Sequence, residues 1–125
     1  MRIKMCSVHV NDPAAAFDFY TSVLGFEEHL IMPEHQLYVV RSREDPTGVG
    51  LLLEPSENRV STKYAQGLRS LGLPAIVLGS PDVRADYDRL TALGVRFTSE
   101  PNTDASGTSV LFDDTCGNLV QLHQD

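Results

Sequence analysis

Four side chains in this sequence have the types and positions to do chemistry together: His9, Glu54, Gln121 and His123. Imidazole nitrogens and carboxylate or amide oxygens are donors a divalent ion accepts, and a histidine beside a carboxylate can also move a proton. Side chains alternate across a strand, so parity decides which of them meet. His9 shares parity with Met5 and Ser7 in Met5-Cys-Ser-Val-His-Val10, and His123 shares it with Gln121 in Leu119-Val-Gln-Leu-His-Gln124. Matching the turn at Gly117 to the turn at Gly48 aligns Leu52 with Gln121 and Glu54 with His123. A cluster of His9, Glu54, Gln121 and His123 is then geometrically accessible. The competing reading leaves both histidines near strand ends, partly solvated, because no spacing aims them at a common point. His29 and His35 flank a turn and read as surface residues. Cys116, in Asp113-Asp-Thr-Cys-Gly-Asn118, has no adjoining histidine or lysine to lower its thiol pKa. Cys6 reads as a small core residue of a strand.

The elements that must position these residues come in two similar sets. Met5 lies seven residues before Asp12, and Ala75 lies seven before Asp82. Each stretch is β-rich, passes a proline-marked helix start, and leads to a helix ending in Leu-Gly-apolar, Leu24-Gly25-Phe26 and Leu93-Gly94-Val95. This is one supersecondary unit used twice. In the first half, residues 3–10 read as a strand, Asp12 as an N-cap, Pro13 as the first helical residue and 14–24 as a helix. Strands are expected at 27–32, 36–43 and 48–54. Pro55-Ser-Glu-Asn58 breaks the last strand, and 61–71 reads as a short connecting helix. In the second half, 74–80 reads as a strand, Ser80-Pro81 as the repeated cap-plus-proline device and 82–93 as a helix. Residues 95–99, 108–112 and 119–124 read as strands. The expected fold is α+β. It comprises two β-α-β-β-β modules, about 1–60 and 74–125 with a connector at about 55–73, in one domain whose mixed sheet forms a U around a cleft. Phe17, Phe19, Tyr20 and Tyr87 have helical spacing and belong to the core. Tyr38, Tyr64, Phe97 and Phe112 are candidates to line the cleft, Tyr64 from a connector that covers its mouth.

Composition removes several classes of function. The chain has 125 residues, 42% of them hydrophobic, and a net charge of −7 from 17 acidic and 10 basic residues. A polyanion would be repelled at long range, and the basic residues are dispersed, so no nucleic-acid partner is expected. No run approaches the ~20 apolar residues that cross a bilayer, and Met1-Arg2-Ile3-Lys4 leads straight into a strand pattern. No membrane association is expected, and the expected location is cytoplasmic, with both cysteines reduced.

Asp18-Phe-Tyr-Thr-Ser-Val-Leu-Gly-Phe26, the doubled β-α-β-β-β pattern and Phe112-Asp-Asp-Thr-Cys-Gly-Asn-Leu-Val-Gln-Leu122 resemble the vicinal oxygen chelate superfamily. That group includes glyoxalase I, bleomycin-resistance proteins, fosfomycin-resistance transferases and extradiol dioxygenases. The resemblance covers essentially the whole chain. It implies homodimers, with paired modules enclosing a cavity. In the enzymes of the group a divalent metal in that cavity holds two vicinal oxygens of the substrate and stabilises an anion by Lewis acidity.

The resemblance also implies where the metal ligands should stand, and this chain departs there. The first histidine position is Met5, its second-module equivalent is Ala75, and the final glutamate position is Gln121. The remaining position falls near Leu53 and Glu54. A soft thioether, a methyl group and a neutral amide are poor exchanges for two imidazoles and a carboxylate. The expectation is a small-molecule-binding, glyoxalase/bleomycin-resistance-like protein with no cofactor and no metal. Its pocket is drawn from Met5, Ser7, His9, Leu53, Glu54, Ala75, Gln121 and His123, and its ligand is apolar or aromatic and neutral or cationic. The alternative is a metal-dependent lyase, isomerase or dioxygenase with an altered ligand set. A purely structural or regulatory dimer module is a third reading.

Overall fold

The computed structural model describes all of residues 1–125, which divide into two compact units, Met1–Tyr64 and Ala65–Asp125. The first contains strand β1 (Met5–Val10), helix α1 (Pro13–Asp18, continuing through a π-helical turn at Phe19–Val23), β2 (Glu27–Met32), β3 (Leu37–Arg41) and β4 (Gly50–Pro55). Helix α2 (Arg59–Ser70) joins the units in sequence. The second contains β5 (Ile76–Gly79), α3 (Val83–Ala92), β6 (Asn102–Asp104), β7 (Gly107–Asp113) and β8 (Leu119–Gln124). The α+β class and the doubled β-α-β-β-β pattern are therefore present. Hydrogen bonding gives each module its own four-stranded mixed sheet, ordered β1-β4-β3-β2 and β5-β8-β7-β6. In each sheet the first and last strands of the unit pair in parallel, β1 with β4 and β5 with β8, and the other pairs are antiparallel.

Local chemistry explains the helices. Asp12 is the N-cap of α1 and accepts from the N–H groups of Ala14 and Ala15 at 3.0 and 3.3 Å, with Pro13 in the first turn. In the second unit the cap is Asp82, which accepts from Ala85 N–H at 3.0 Å. Ser80 and Pro81 precede this cap, so the proline lies outside the helix, unlike Pro13. Ser80 still helps: its hydroxyl donates to Asp86 at 2.6 Å and accepts from Asp82 N–H at 3.1 Å. Helix α2 starts two residues earlier than expected because Asn58 caps it, accepting from Ser61 N–H at 2.8 Å.

Helix α3 closes in a Schellman motif, with Val95 N–H to Leu90 O at 3.0 Å and Gly94 N–H to Thr91 O at 3.0 Å, and Gly94 at φ +89°. Helix α1 makes the same kind of exit with one more residue in the loop: Phe26 N–H reaches back to Tyr20 O at 3.0 Å. The widened turn, closed by Leu24 N–H to Phe19 O at 3.1 Å, absorbs the extra residue.

Each helix covers one face of its sheet. Val8, Val10, Val40 and Leu53 are buried with Ala16 and Tyr20 in the first unit; Val110, Phe112, Val120 and Leu122 are buried with Val83 and Leu90 in the second. Cys6 has the parity of Val8 but is exposed at the open start of β1, so it is not the core residue its strand pattern suggested. The expected strand at 95–99 is reduced to a single bridge, Phe97 to Phe112, flanked by Asp113 N–H to Arg96 O and Thr98 N–H to Leu111 O. Pro101 has no N–H to extend a ladder. Pairing resumes at β6, which forms a hairpin with β7. Gly107 is required at its end, because a Cβ there would collide with the Gln124 carbonyl.

The β7–β8 turn is built around Asp114, which is fully buried. Its carboxylate accepts from the backbone N–H groups of Cys116 (2.8 Å) and Asn118 (2.9 Å) and from the Asn118 amide (3.1 Å). Thr115 adopts φ +62°, and Asp113 accepts from its N–H at 2.7 Å. Cys116 is buried in this turn and its N–H is occupied by Asp114, so the segment has a structural task. Outside it, Arg69 donates to Asp113 at 2.6 Å. Burial pushes the Asp113 carboxyl up, but the Arg69 guanidinium and the Thr115 N–H outweigh burial and hold it below its ordinary value.

Asp114→Ala strands buried donors and should cost about 2–3 kcal/mol in urea unfolding. Asp113→Asn should cost less than about 1 kcal/mol, because Arg69 is 43% exposed and water screens the pair. The Asp113 pKa is depressed on folding, so its contribution is present above the ordinary carboxylate pKa and is lost as pH falls through the depressed value. The gap between wild type and Asp113→Asn should therefore close on acidification.

Candidate functional site

Register assigns every candidate side chain to a face of its sheet. In the first unit Ser7 pairs with Leu52, Val8 with Leu53 and His9 with Glu54, and across the next ladder Val39 pairs with Leu52 and Val40 with Leu51. The α1 face carries Val8, Leu53 and Val40. It also carries Tyr38, whose ring lies 5.7 Å from that of Phe17 on the helix. The opposite face carries Met5, Ser7 and His9 on β1, Gly50, Leu52 and Glu54 on β4, and Val39 and Leu30 on β3 and β2. Gly50 is buried there, and a Cβ on it would stand 3.1 Å from Val39 Cγ1.

Two expected lining residues are corrected. Leu53 is 0% exposed on the α1 face, part of the core and not of the site. Tyr38 is likewise turned to α1. Met5, Ser7, His9 and Glu54 do share the other face, where Met5 is 46% exposed. Tyr64, at the end of the unit on α2, joins them: its ring meets that of His9 edge-on, with centroids 6.4 Å apart and planes at 82°.

In the second unit Val77 pairs with Gln121 and Gly79 with His123, and Gln121 pairs with Leu111 across the antiparallel ladder. The α3 face is marked by the rings of Tyr87, Phe97 and Phe112, with centroid separations of 4.6 and 5.8 Å, and by Gln124, which accepts from Val83 N–H at 2.9 Å. Phe97 and Phe112 therefore belong to the core and line no site. The opposite face holds Val77, Leu111, Gln121 and His123. Ala75 extends the parallel ladder through its N–H to Leu119 O at 2.8 Å and has the parity of Val77. His123 contacts the β6–β7 turn, its Nε2 at 2.9 Å from Ser106 O, and its Nδ1 lies 3.6 Å from Asp125. It is a half-buried residue tied to a turn.

The parallel ladders of the two units have matching registers: Ser7–Leu52 corresponds to Val77–Gln121 and His9–Glu54 to Gly79–His123. The module-one counterpart of Gln121 is thus Leu52. The four positions that the resemblance reserves for metal ligands are Met5, Leu52, Ala75 and Gln121: one thioether, two hydrocarbon side chains and one amide. No group of three His, Cys, Asp or Glu side chains is placed to hold a metal ion. A divalent ion gives up its hydration only for charged or strongly donating ligands, and these residues do not fit one. The alignment of Leu52 with Gln121 was already readable from the two turns. The position expected near Leu53 and Glu54 therefore falls at Leu52, because turn length alone leaves the register open by a residue or two and the ladder fixes it.

On the helix side, the first unit has an open depression of about 520 Å³ rimmed by Phe17, Phe26, Glu27, Glu28 and Arg43. It is a solvated gap beside α1 and β2, separate from the face that carries the candidate residues.

The family model for the Glyoxalase/Bleomycin resistance protein/Dioxygenase superfamily matches residues 2–122, and the chain belongs to that superfamily. The chain is 40% identical to YurT, an uncharacterized protein of Bacillus subtilis (strain 168), with 99% of each chain covered. Among solved structures it resembles UcmS2, with a TM-score of 0.81, 27% identity and coverage of 98% and 97% of the two chains. It also resembles TnmS3, an antibiotic binding protein from Streptomyces sp. CB03234, with a TM-score of 0.75, 25% identity and coverage of 99% and 95%.

Protein purified without an affinity tag should carry far less than one equivalent of zinc, nickel, iron or manganese, and adding these ions should not raise its unfolding temperature. Elemental analysis after dialysis checks this. Near-stoichiometric metal that is lost in Gln121→Ala or Glu54→Ala would contradict the donor chemistry.

Proposed function

We propose that the protein binds a small molecule and works without the metal centre of the superfamily's enzymes. The observation that carries this reading is the set Met5, Leu52, Ala75 and Gln121 at the ligand positions, which exchanges metal donors for apolar surface and one hydrogen-bonding amide. In each unit the strand face turned away from the helix is an apolar floor with a few polar groups to orient a ligand: Leu30, Val39 and Leu52 with Ser7, His9 and Glu54 in the first, and Val77 and Leu111 with Gln121 in the second. The likeness to an antibiotic binding protein supports the same reading. The net charge of −7 favours a neutral or cationic, apolar or aromatic ligand over an anion. The reading includes a homodimer in the cytoplasm; no helix is long and apolar enough to cross a membrane.

The test is fluorescence titration with N-phenyl-1-naphthylamine, a neutral aromatic probe. Binding in the micromolar range is expected, and Leu52→Glu should weaken it about tenfold or more by setting a carboxylate in the apolar floor. Absence of binding, together with metal-dependent lyase, isomerase or dioxygenase turnover, would overturn the reading. Light scattering should give twice the chain mass at tens of micromolar, roughly the range in which a specific interface holds.

A further inference from the structure

We propose that Glu54, with His9 beside it and Tyr64 packed against His9, is a subsite for a protonated amine carried on an apolar or aromatic ligand; this rests on the small-molecule reading above and adds the ligand's polar group to it. Glu54 stands beside His9 in the parallel β1–β4 register, and neighbouring strands lie about 5 Å apart, so both side chains leave the same face side by side. The His9 ring meets Tyr64 edge-on, which brings the phenol to the same end of that face. Tyr64 is 58% exposed, leaving ring surface for a ligand.

Charge gives the subsite its selectivity. Glu27 is paired with Arg41 and Glu57 accepts from Gln36, whereas Glu54 forms no ion pair within the chain. It is half-buried, next to Leu52 and on the same face as buried Val39. A carboxylate in such surroundings gains from a charged donor, and the exposed Tyr64 ring against the neighbouring His9 attracts a cation through its π face. The corresponding residue of the second unit is His123, which is tied to Ser106. The carboxylate subsite therefore belongs to one unit, and a ligand bound there is polarised, its cationic end at Glu54 and its apolar body over Leu52 and Val39.

Two dansyl probes test this. Dansylcadaverine ends in a primary amine that is protonated at neutral pH; N-butyl dansylamide has the same fluorophore and a neutral tail. In wild-type protein at low ionic strength the amine should bind about fivefold tighter than the neutral probe, and added salt should shrink the ratio. Glu54→Gln, nearly isosteric and checked for an unchanged urea midpoint, should bring the ratio to about one, and Tyr64→Leu should lower it about twofold. Equal binding of both probes to wild type overturns the amine subsite and leaves the small-molecule reading standing. A preference retained in Glu54→Gln overturns it as well, by assigning the selectivity to net charge. Binding of neither probe overturns both proposals.

Discussion

The parallel pairing of the first and last strands of each unit is the constraint on which the rest depends. Parallel neighbours cannot be joined by a tight turn, so β1 must be followed by a helix and two further strands before β4 returns beside it, and β5 reaches β8 in the same way. That return places β4 and β8 inside their sheets with both edges bonded. Every second residue of those strands then faces a helix, and every other one faces away. His9 stands beside Glu54, and Val77 beside Gln121, because of this pairing and for no reason local to those residues.

The helices follow from the same constraint. Each must span from the end of its first strand to the start of the next while covering one sheet face, and the Leu-Gly-apolar ending lets the chain turn off the helix and descend. The two units solve this with slightly different lengths. A regular α-helical exit suffices after α3, while α1 needs a widened last turn that keeps Tyr20 buried and still returns Phe26 to the sheet.

Where local chemistry and periodicity agree, the fold was legible. Asp12 with Pro13, the Leu-Gly-apolar endings and the strands β2 and β8 are examples. Legibility failed where partners distant in the chain decide. Val95–Ser99 has strand composition, yet Pro101 interrupts its ladder and the edge passes to Asn102–Asp104. Cys6 has core parity, yet it is exposed near the open start of β1. Parity alone puts Met5, Ser7 and His9 on one strand face, and the β1–β4 register adds Glu54 to it. Leu53, adjacent to Glu54, is sent by alternation to the opposite face and into the core. Aromatic residues were the least readable. Tyr38, Phe97 and Phe112 pack against helices, and only their cross-strand partners reveal it, whereas Tyr64 is brought to the site by an element whose start Asn58 sets.

The turn around Asp114 has a consequence for how chains of this architecture diversify. Of the residues that make the segment recognisable, Asp114 and Asn118 bond to each other and Gly117 supplies a positive-φ turn, so none of them is spent on a ligand. Gln121, four residues from Gly117, takes no part in that hydrogen bonding. A chain can therefore exchange its chemistry at one position while the neighbouring signature persists for folding reasons alone. Possession of the signature reports ancestry and architecture; it is silent about catalysis, and a carrier protein and an enzyme can wear it equally well.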